Sequence, residues 1–351
     1  MSLPIKGVNT CYMPFTKMDS HTEVWKDYAL GALCFGQPNA GPTLAEASAI
    51  PTIHLSAPIL LGDDVSMEVW LSTLALSLSH PLSHGFSGDI QYSFNKELLF
   101  GVISLPESDS LEETTESAYH QIFSLMEAMD YPYIYRLWNY MADINGISHN
   151  LERYRQFNVG RKAAFSAFKA NISNQLPAAC ALGLDDGPLS IAFLLGHEAP
   201  IAIENPRQIN AFEYPEEYGP RTPSFSRATL LHSEQNEILF ISGTASIVGH
   251  QTVHPLDVVA QTTETLVNLE AVIAEANRII GEQKFDICNI HFRVYIRNAL
   301  DLPLVRNEME RYINAPIKAV FVQADICRKD LLLEIEATVG STLELSFNEL
   351  S

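Results

Sequence analysis

One order of elements is read twice along this chain, and that repetition limits the fold more than any single motif. In the first pass, strands are predicted at Asp89–Phe94 and Leu98–Leu105, joined by a turn at Asn95–Glu97. Tyr119, Ile122, Phe123 and Met126 recur at helical spacing and predict a helix over Leu111–Met129. A strand at Tyr133–Met141 and a second helix near Asn150–Phe168 follow. The pass closes with a hairpin, Ala178–Leu182 and Leu189–Leu195, turning at Asp185, Asp186 and Gly187. In the second pass, Ala228–His232 and Glu237–Ile247 flank a turn at Ser233–Asn236. A long helix runs from about Pro255, placed in its first turn, to Ile280, with Val258, Val259, Leu266, Leu269, Val272 and Ile273 on its apolar face. Then come a strand at Ile287–Ile296, a helix at Leu304–Ile313, and a hairpin from Ile317–Ile326 to Leu331–Val339.

Each pass therefore predicts a sheet with helices on one face, an α+β layer architecture. Two such halves suggest duplication and a ligand cleft between them; two unrelated α+β domains would read the same way. Residues 1–60 are rich in Gly, Pro, Ser and Thr, as in GQPNAGPT at 36–43, ahead of the largely apolar Ile50–Leu61. They read as an irregular arm with a short strand. The first half is then 61–204, and the linking loop with the second half is 205–351. The loop Asn205–Pro223 carries four prolines, with Tyr214 and Tyr218 between them, and suits either a pocket rim or a plain connector.

Composition excludes several classes. Apolar residues make up 47% and charged residues 18% of the 351, a globular balance. The longest apolar stretch, Leu71–Leu82, is too short and too rich in Ser to span a bilayer. The N-terminus has no apolar core behind a basic start, as a signal peptide would. Five cysteines without CxxC spacing argue against a disulfide framework or zinc site, and fit a reducing cytoplasm. A net charge of −20 disfavours nucleic acid and anionic membrane as partners. Any anionic ligand must therefore be held by a local group of cations.

Nucleotide-binding glycine loops, HExxH and GxSxG are all absent. His250 and His254 are four apart, but Gly249 and Pro255 flank them, so a turn fits better than a metal site. Basic residues are few, and they group. Arg153, Arg155, Arg161 and Lys162 lie together, and Arg207, Arg221 and Arg227 surround the middle loop. Either they form an anion site or they offset neighbouring glutamates. In the last hairpin, Glu334 and Glu336 share one face of an otherwise apolar strand. Burial and a like-charged neighbour would raise a carboxyl pKa there and make it a general acid. The alternative is two surface glutamates on a half-exposed strand. By the same parity Gln323, Asp325 and Cys327 share a face of the preceding strand.

Four segments resemble the chorismatase family: ERYRQFNVGRKAAF (Glu152–Phe165), EYGPRTPSFSRATL (Glu217–Leu230), LFISGTASIVGHQTVHP (Leu239–Pro255) and ADICRKDLLLEIEA (Ala324–Ala337). Residues 1–150 carry no comparable signature. The resemblance implies two duplicated YjgF/chorismate-mutase-like halves in a pseudo-trimer-like arrangement, without metal or organic cofactor; a monomer is one expectation for a chain whose sequence leaves the oligomeric state open. It implies chorismate as substrate, a dicarboxylate with a vinyl ether. Glu334 would protonate the enolpyruvyl methylene and pyruvate would be released. Tyr154, Arg161, Tyr214 and Arg227 are the implied substrate-binding groups, with Arg221, Gly243, Ala245 and Gln323 beside them. Cys327 resembles the branches that release 3- or 4-hydroxybenzoate, whereas Ala245 resembles the branch that hydrolyses chorismate to a cyclohexadiene diol. The expectation is 3-hydroxybenzoate, then 4-hydroxybenzoate. A YjgF-like binder without activity and an imine deaminase are the competing classes.

Overall fold

A computed structural model describes residues 8–14, 28–36, 50–62, 65–72, 82–168, 176–232 and 237–340. The predicted turn at Ser233–Asn236, the GQPNAGPT run beyond Gly36 and most of Leu71–Leu82 lie outside the described residues.

The first half is a mixed sheet of β5 (Ser83–Ser87), β6 (Ile90–Phe94), β7 (Leu98–Leu105), β8 (Tyr133–Ala142), β9 (Ala178–Leu184) and β10 (Leu189–Gly196). The β6–β7 turn forms because the Asn95 side chain accepts the backbone N–H groups of Glu97 and Leu98, both at 2.9 Å. Two helices, α1 (Leu111–Met129) and α2 (Arg153–Ala167), cover one face. Ser110 caps α1 by accepting from Glu113, and Asp130 closes it in the left-handed conformation. The helices meet closely at Gly160, where an added Cβ would sit 2.1 Å from the Glu112 carbonyl oxygen.

The second half holds β11 (Ile201–Ile203), β12 (Ala228–His232), β13 (Glu237–Thr244), β14 (His291–Ile296), β15 (Lys318–Gln323) and β16 (Leu333–Val339). Its helices are α3 (Val258–Ile280) and α4 (Leu302–Ile313), again on one face. Pro255 precedes α3 rather than entering its first turn. His254 and Leu256 have positive φ, and Asp257 is the residue whose side chain caps Ala260. The strand expected from Ile287 begins only at His291, after a single 3₁₀ turn.

The two sheets have one topology. The order is β6-β7-β10-β8-β9 in the first and β12-β13-β16-β14-β15 in the second, with a parallel pair, β8/β9 and β14/β15, at the same place. Residues 1–60 depart from the irregular arm expected of them. Together with the segment that follows they form a four-stranded sheet of β1 (Val8–Pro14), β2 (Ala29–Gly36), β3 (Thr52–Ser56) and β4 (Val65–Ser72). Its order, β1-β4-β2-β3 with β2 and β3 parallel, repeats β7-β10-β8-β9. The N-terminal segment is thus a third, shorter version of the pattern. Strand β2, ALGALCFG, is buried on both faces, so it lacks the polar alternation that marks a strand.

The faces of the three sheets turned away from α1–α4 share one core. At its centre Trp70 from β4 packs on Trp138 from β8 at 4.9 Å and on Phe240 from β13 at 6.2 Å. No described helix is long and apolar enough to cross a membrane.

Candidate active site

Between the two larger sheets lies a cavity of about 530 Å³. Its first wall is β9 with the start of α2. There Ala178 and Ala179 donate their backbone N–H groups to the hydroxyls of Thr229 and Ser242, which joins β9 to the second half. The second wall is β13 and β16. The loop 205–223 roofs the cavity, held down by Ile209 N–H to Gly249 O and by Gln208 to Ile247 O, both at 2.9 Å. The Pro- and Tyr-rich loop is therefore a pocket rim.

Glu334 lies on β16 with 3% of its surface exposed, and its Oε1 has no hydrogen-bond partner among the described residues. Burial, and then the negative charge of Glu336, push its pKa up to about 8, with Arg136 opposing. The carboxyl is thus protonated at neutral pH. Gly243 on β13 makes room for it: a Cβ there would come within 1.9 Å of Oε1. Glu336 is equally buried and ends differently. Burial pushes it up, but Arg293 and Arg136 outweigh that and hold it below the usual carboxylate range.

The cavity is cationic in a chain that is not. Arg161 is 2% exposed and lies among the rings of Tyr119, Phe157 and Phe165, with Nε and one Nη unpartnered. Arg227 is 6% exposed; it donates to Ile209 O at 2.9 Å and to the Tyr214 hydroxyl at 2.7 Å, leaving Nε unpartnered. Arg328 sits over the Tyr218 ring at 4.1 Å and donates to His250 O at 2.8 Å, with its other Nη unpartnered. None of these three forms an ion pair with a carboxylate among the described residues. Every other described arginine does, apart from exposed Arg221. A buried guanidinium without an anion is costly unless a ligand supplies one.

Tyr154, Ala245 and Cys327 complete the expected residues in the cavity wall. Burial, and then Glu334, push the Cys327 thiol up to about 12, so it holds its proton. Burial, and then Cys327, raise Tyr154 as well. Two expected residues are elsewhere. Arg221 projects from the surface of the loop. Gln323 ends β15, where its backbone N–H meets Pro58 O at 2.8 Å and its side chain reaches only Arg297 O. The parity that grouped Gln323 with Cys327 fails because the chain changes sheets between them. Asp325 and Ile326 leave the second sheet and pair with Gly183 and Leu182 of β9.

The sequence reading missed Arg328 and Cys180. Arg328 had a signal, since it adjoins Cys327 in ADICRKD. Cys180 had none: it is one small residue in an apolar strand, and only its place in the wall beside Glu334 and Glu336 marks it. No described cluster of His, Cys, Asp and Glu could hold a metal ion. His250 faces Tyr218 at 3.2 Å while His254 faces Glu264 at 3.6 Å, so the two do not converge.

A family model described as chorismatase FkbO/Hyg5-like, N-terminal, matches residues 68–195. The 3-hydroxybenzoate synthase of Streptomyces hygroscopicus is 34% identical over 324 residues, spanning 88% of this chain and 91% of that protein. The chain belongs to the chorismatase family. A chorismatase of the same organism is 33% identical across 95% of this chain and 96% of its own length. A chorismatase crystal structure superposes with a TM-score of 0.83 at 32% identity, covering 97% of this chain and all of that one. The match to 68–195 also shows that the stretch before residue 150 carries chorismatase signal that its motifs did not display.

Proposed function

We propose that this enzyme cleaves chorismate to pyruvate and a hydroxybenzoate, with 3-hydroxybenzoate the favoured product. The carrying observation is a buried Glu334 carboxyl with an unpartnered oxygen, its pKa pushed up by burial, lining one cavity with Arg161, Arg227 and Arg328. Two carboxylates of the substrate would meet the guanidiniums, whose fork geometry suits them. Glu334 would then deliver its proton to the enolpyruvyl methylene carbon. The adjacent ether oxygen shares the positive charge that develops, as an oxocarbenium ion. Water attacking that ion and loss of the ring hydroxyl as water leave the total balanced: chorismate yields pyruvate and hydroxybenzoate with no net water. Retention of the ring hydroxyl gives the diol instead, with one water consumed.

Cys327 supports the aromatic outcome as a neutral thiol beside Glu334. Ala245, also in the wall, is the feature that favours the hydrolytic alternative. We place the activity in the cytoplasm, in line with free cysteines at 34, 180, 288 and 327. We take the enzyme to act as a monomer.

The test is incubation with chorismate, with pyruvate followed enzymatically and the ring product separated by chromatography. Pyruvate with 3-hydroxybenzoate is expected. Pyruvate with the diol moves the enzyme to the hydrolytic branch, and no pyruvate above background sinks the reading.

A further inference from the structure

Behind Glu334, four buried charges from all three sheets form a closed set. Arg136 on β8 pairs with one oxygen of Glu336, and Arg293 on β14 pairs with the other at 2.5 Å. The second Nη of Arg293 pairs with Glu68 on β4 of the N-terminal sheet. All four are between 2% and 3% exposed. Most of the remaining donors and acceptors are met locally, with Arg293 Nε left without a partner among the described residues. Arg136 donates to Ile241 O at 2.9 Å, and the Tyr295 hydroxyl donates to Glu336 at 3.0 Å. Tyr140 and Tyr295 share a 2.8 Å hydroxyl contact beside Arg293. Two cations and two anions cancel within the set, which leaves Arg136 only a residual opposing pull on the Glu334 proton.

We propose that Glu68, Arg293, Arg136 and Glu336 act as one positioning group that keeps the proton on Glu334. Without Glu68, Arg293 would carry an unbalanced charge at one remove from Glu334. Without Glu336, two arginines would face Glu334 as its natural counter-ions, and the carboxyl would ionise. The groups bordering Glu334 from other elements do not replace this control. Tyr295 of β14, Cys180 of β9, Tyr154 of α2 and Cys327 are all held neutral by burial. Three cations of the cavity wall are engaged elsewhere: Arg328 with the Tyr214 and Tyr218 rings, Arg227 with Ile209 O and the Tyr214 hydroxyl, and Arg161 with the rings of Tyr119, Phe157 and Phe165. The assignment gives the N-terminal sheet a part in the chemistry although it contributes no residue to the cavity wall. It rests on the reading of Glu334 as the proton donor.

The experiment is an infrared titration of the Glu334 carboxyl C=O band in the ligand-free protein, the band being the one lost in Glu334→Gln. Pyruvate-release pH profiles are measured on the same proteins. In Glu336→Gln the midpoint should fall by about one pH unit or more, roughly a tenfold change in proton affinity. Glu68→Gln should lower it by less. Arg136→Gln, which removes a cation, should raise it. The alkaline limb of the rate profile should follow each shift. Unmoved midpoints in Glu68→Gln and Glu336→Gln, with rates reduced equally at every pH, overturn the proposal and leave the four residues a purely structural role. Shifted midpoints without any pyruvate release support the proposal and overturn the functional reading instead.

Discussion

Glu334 and Glu336 share a strand, a face and a depth, and they differ in what stands beside them. Glu336 has two guanidiniums; Glu334 has an unpartnered oxygen and a neighbouring negative charge. Glu334→Gln should lower pyruvate release by about 10²–10⁴-fold, the usual worth of a placed general acid. The pH dependence has a definite sign. The donor is active when protonated, so the rate should hold through neutrality and fall as pH rises through about 8. A pH–rate profile checks this, and a plateau continuing well above that point would exclude Glu334 as the acid. For Cys327→Ala, chromatography should show the aromatic fraction falling in favour of the diol while pyruvate release continues. An unchanged ratio would remove Cys327 from the product-determining step. The acidic pair was legible from strand parity as two glutamates on one face, buried or exposed, because side chains alternate whatever the tertiary context. Its division of labour was not, since Arg136 is 200 positions from Glu336 along the chain. Gln323 was misplaced for a related reason: parity holds only while a strand stays in its sheet, and this one leaves at Ala324.

Among the elements, the helices were the most legible. The apolar spacing of Leu111–Met129 is that of α1, and Ser110 and Asp130 end it by local chemistry. The N-terminal strands were the least legible, since β2 is apolar throughout and its pairing to β3 and β4 comes from distant sequence. Helix α2 carries Tyr154 and Arg161 into the cavity, and its seat depends on Gly160 against the backbone of Glu112. Gly160→Ala would gain helix propensity but push α2 off α1, because a backbone oxygen cannot swing aside. A net loss of about 1–3 kcal/mol is expected in chemical denaturation. A neutral or stabilising result would show that the two helices can separate without cost.

At the scale of the molecule, three sheets with one strand order close around Trp70, Trp138 and Phe240. Trp70 is fully buried between partners from both larger halves, so Trp70→Ala should cost about 3–5 kcal/mol. Urea unfolding should report that loss as one transition, because the core is shared. A separate early transition confined to the N-terminal sheet would contradict a common core. The cleft between the halves was foreseen from the repeated pattern, but not the third sheet that supports it. Asp325 and Ile326 are stitched into the first sheet, while Glu334, a few residues on, belongs to the second. The thiol and the carboxyl are therefore mounted on different bodies, and their spacing is set by how those bodies are seated. A distant substitution that tilts one half slightly would disturb branching between products before it disturbs the first protonation. Such variants would be recognised by altered hydroxybenzoate-to-diol ratios at unchanged pyruvate yield, and on the proposed mechanism selectivity would then be a property of the joint as much as of the pocket.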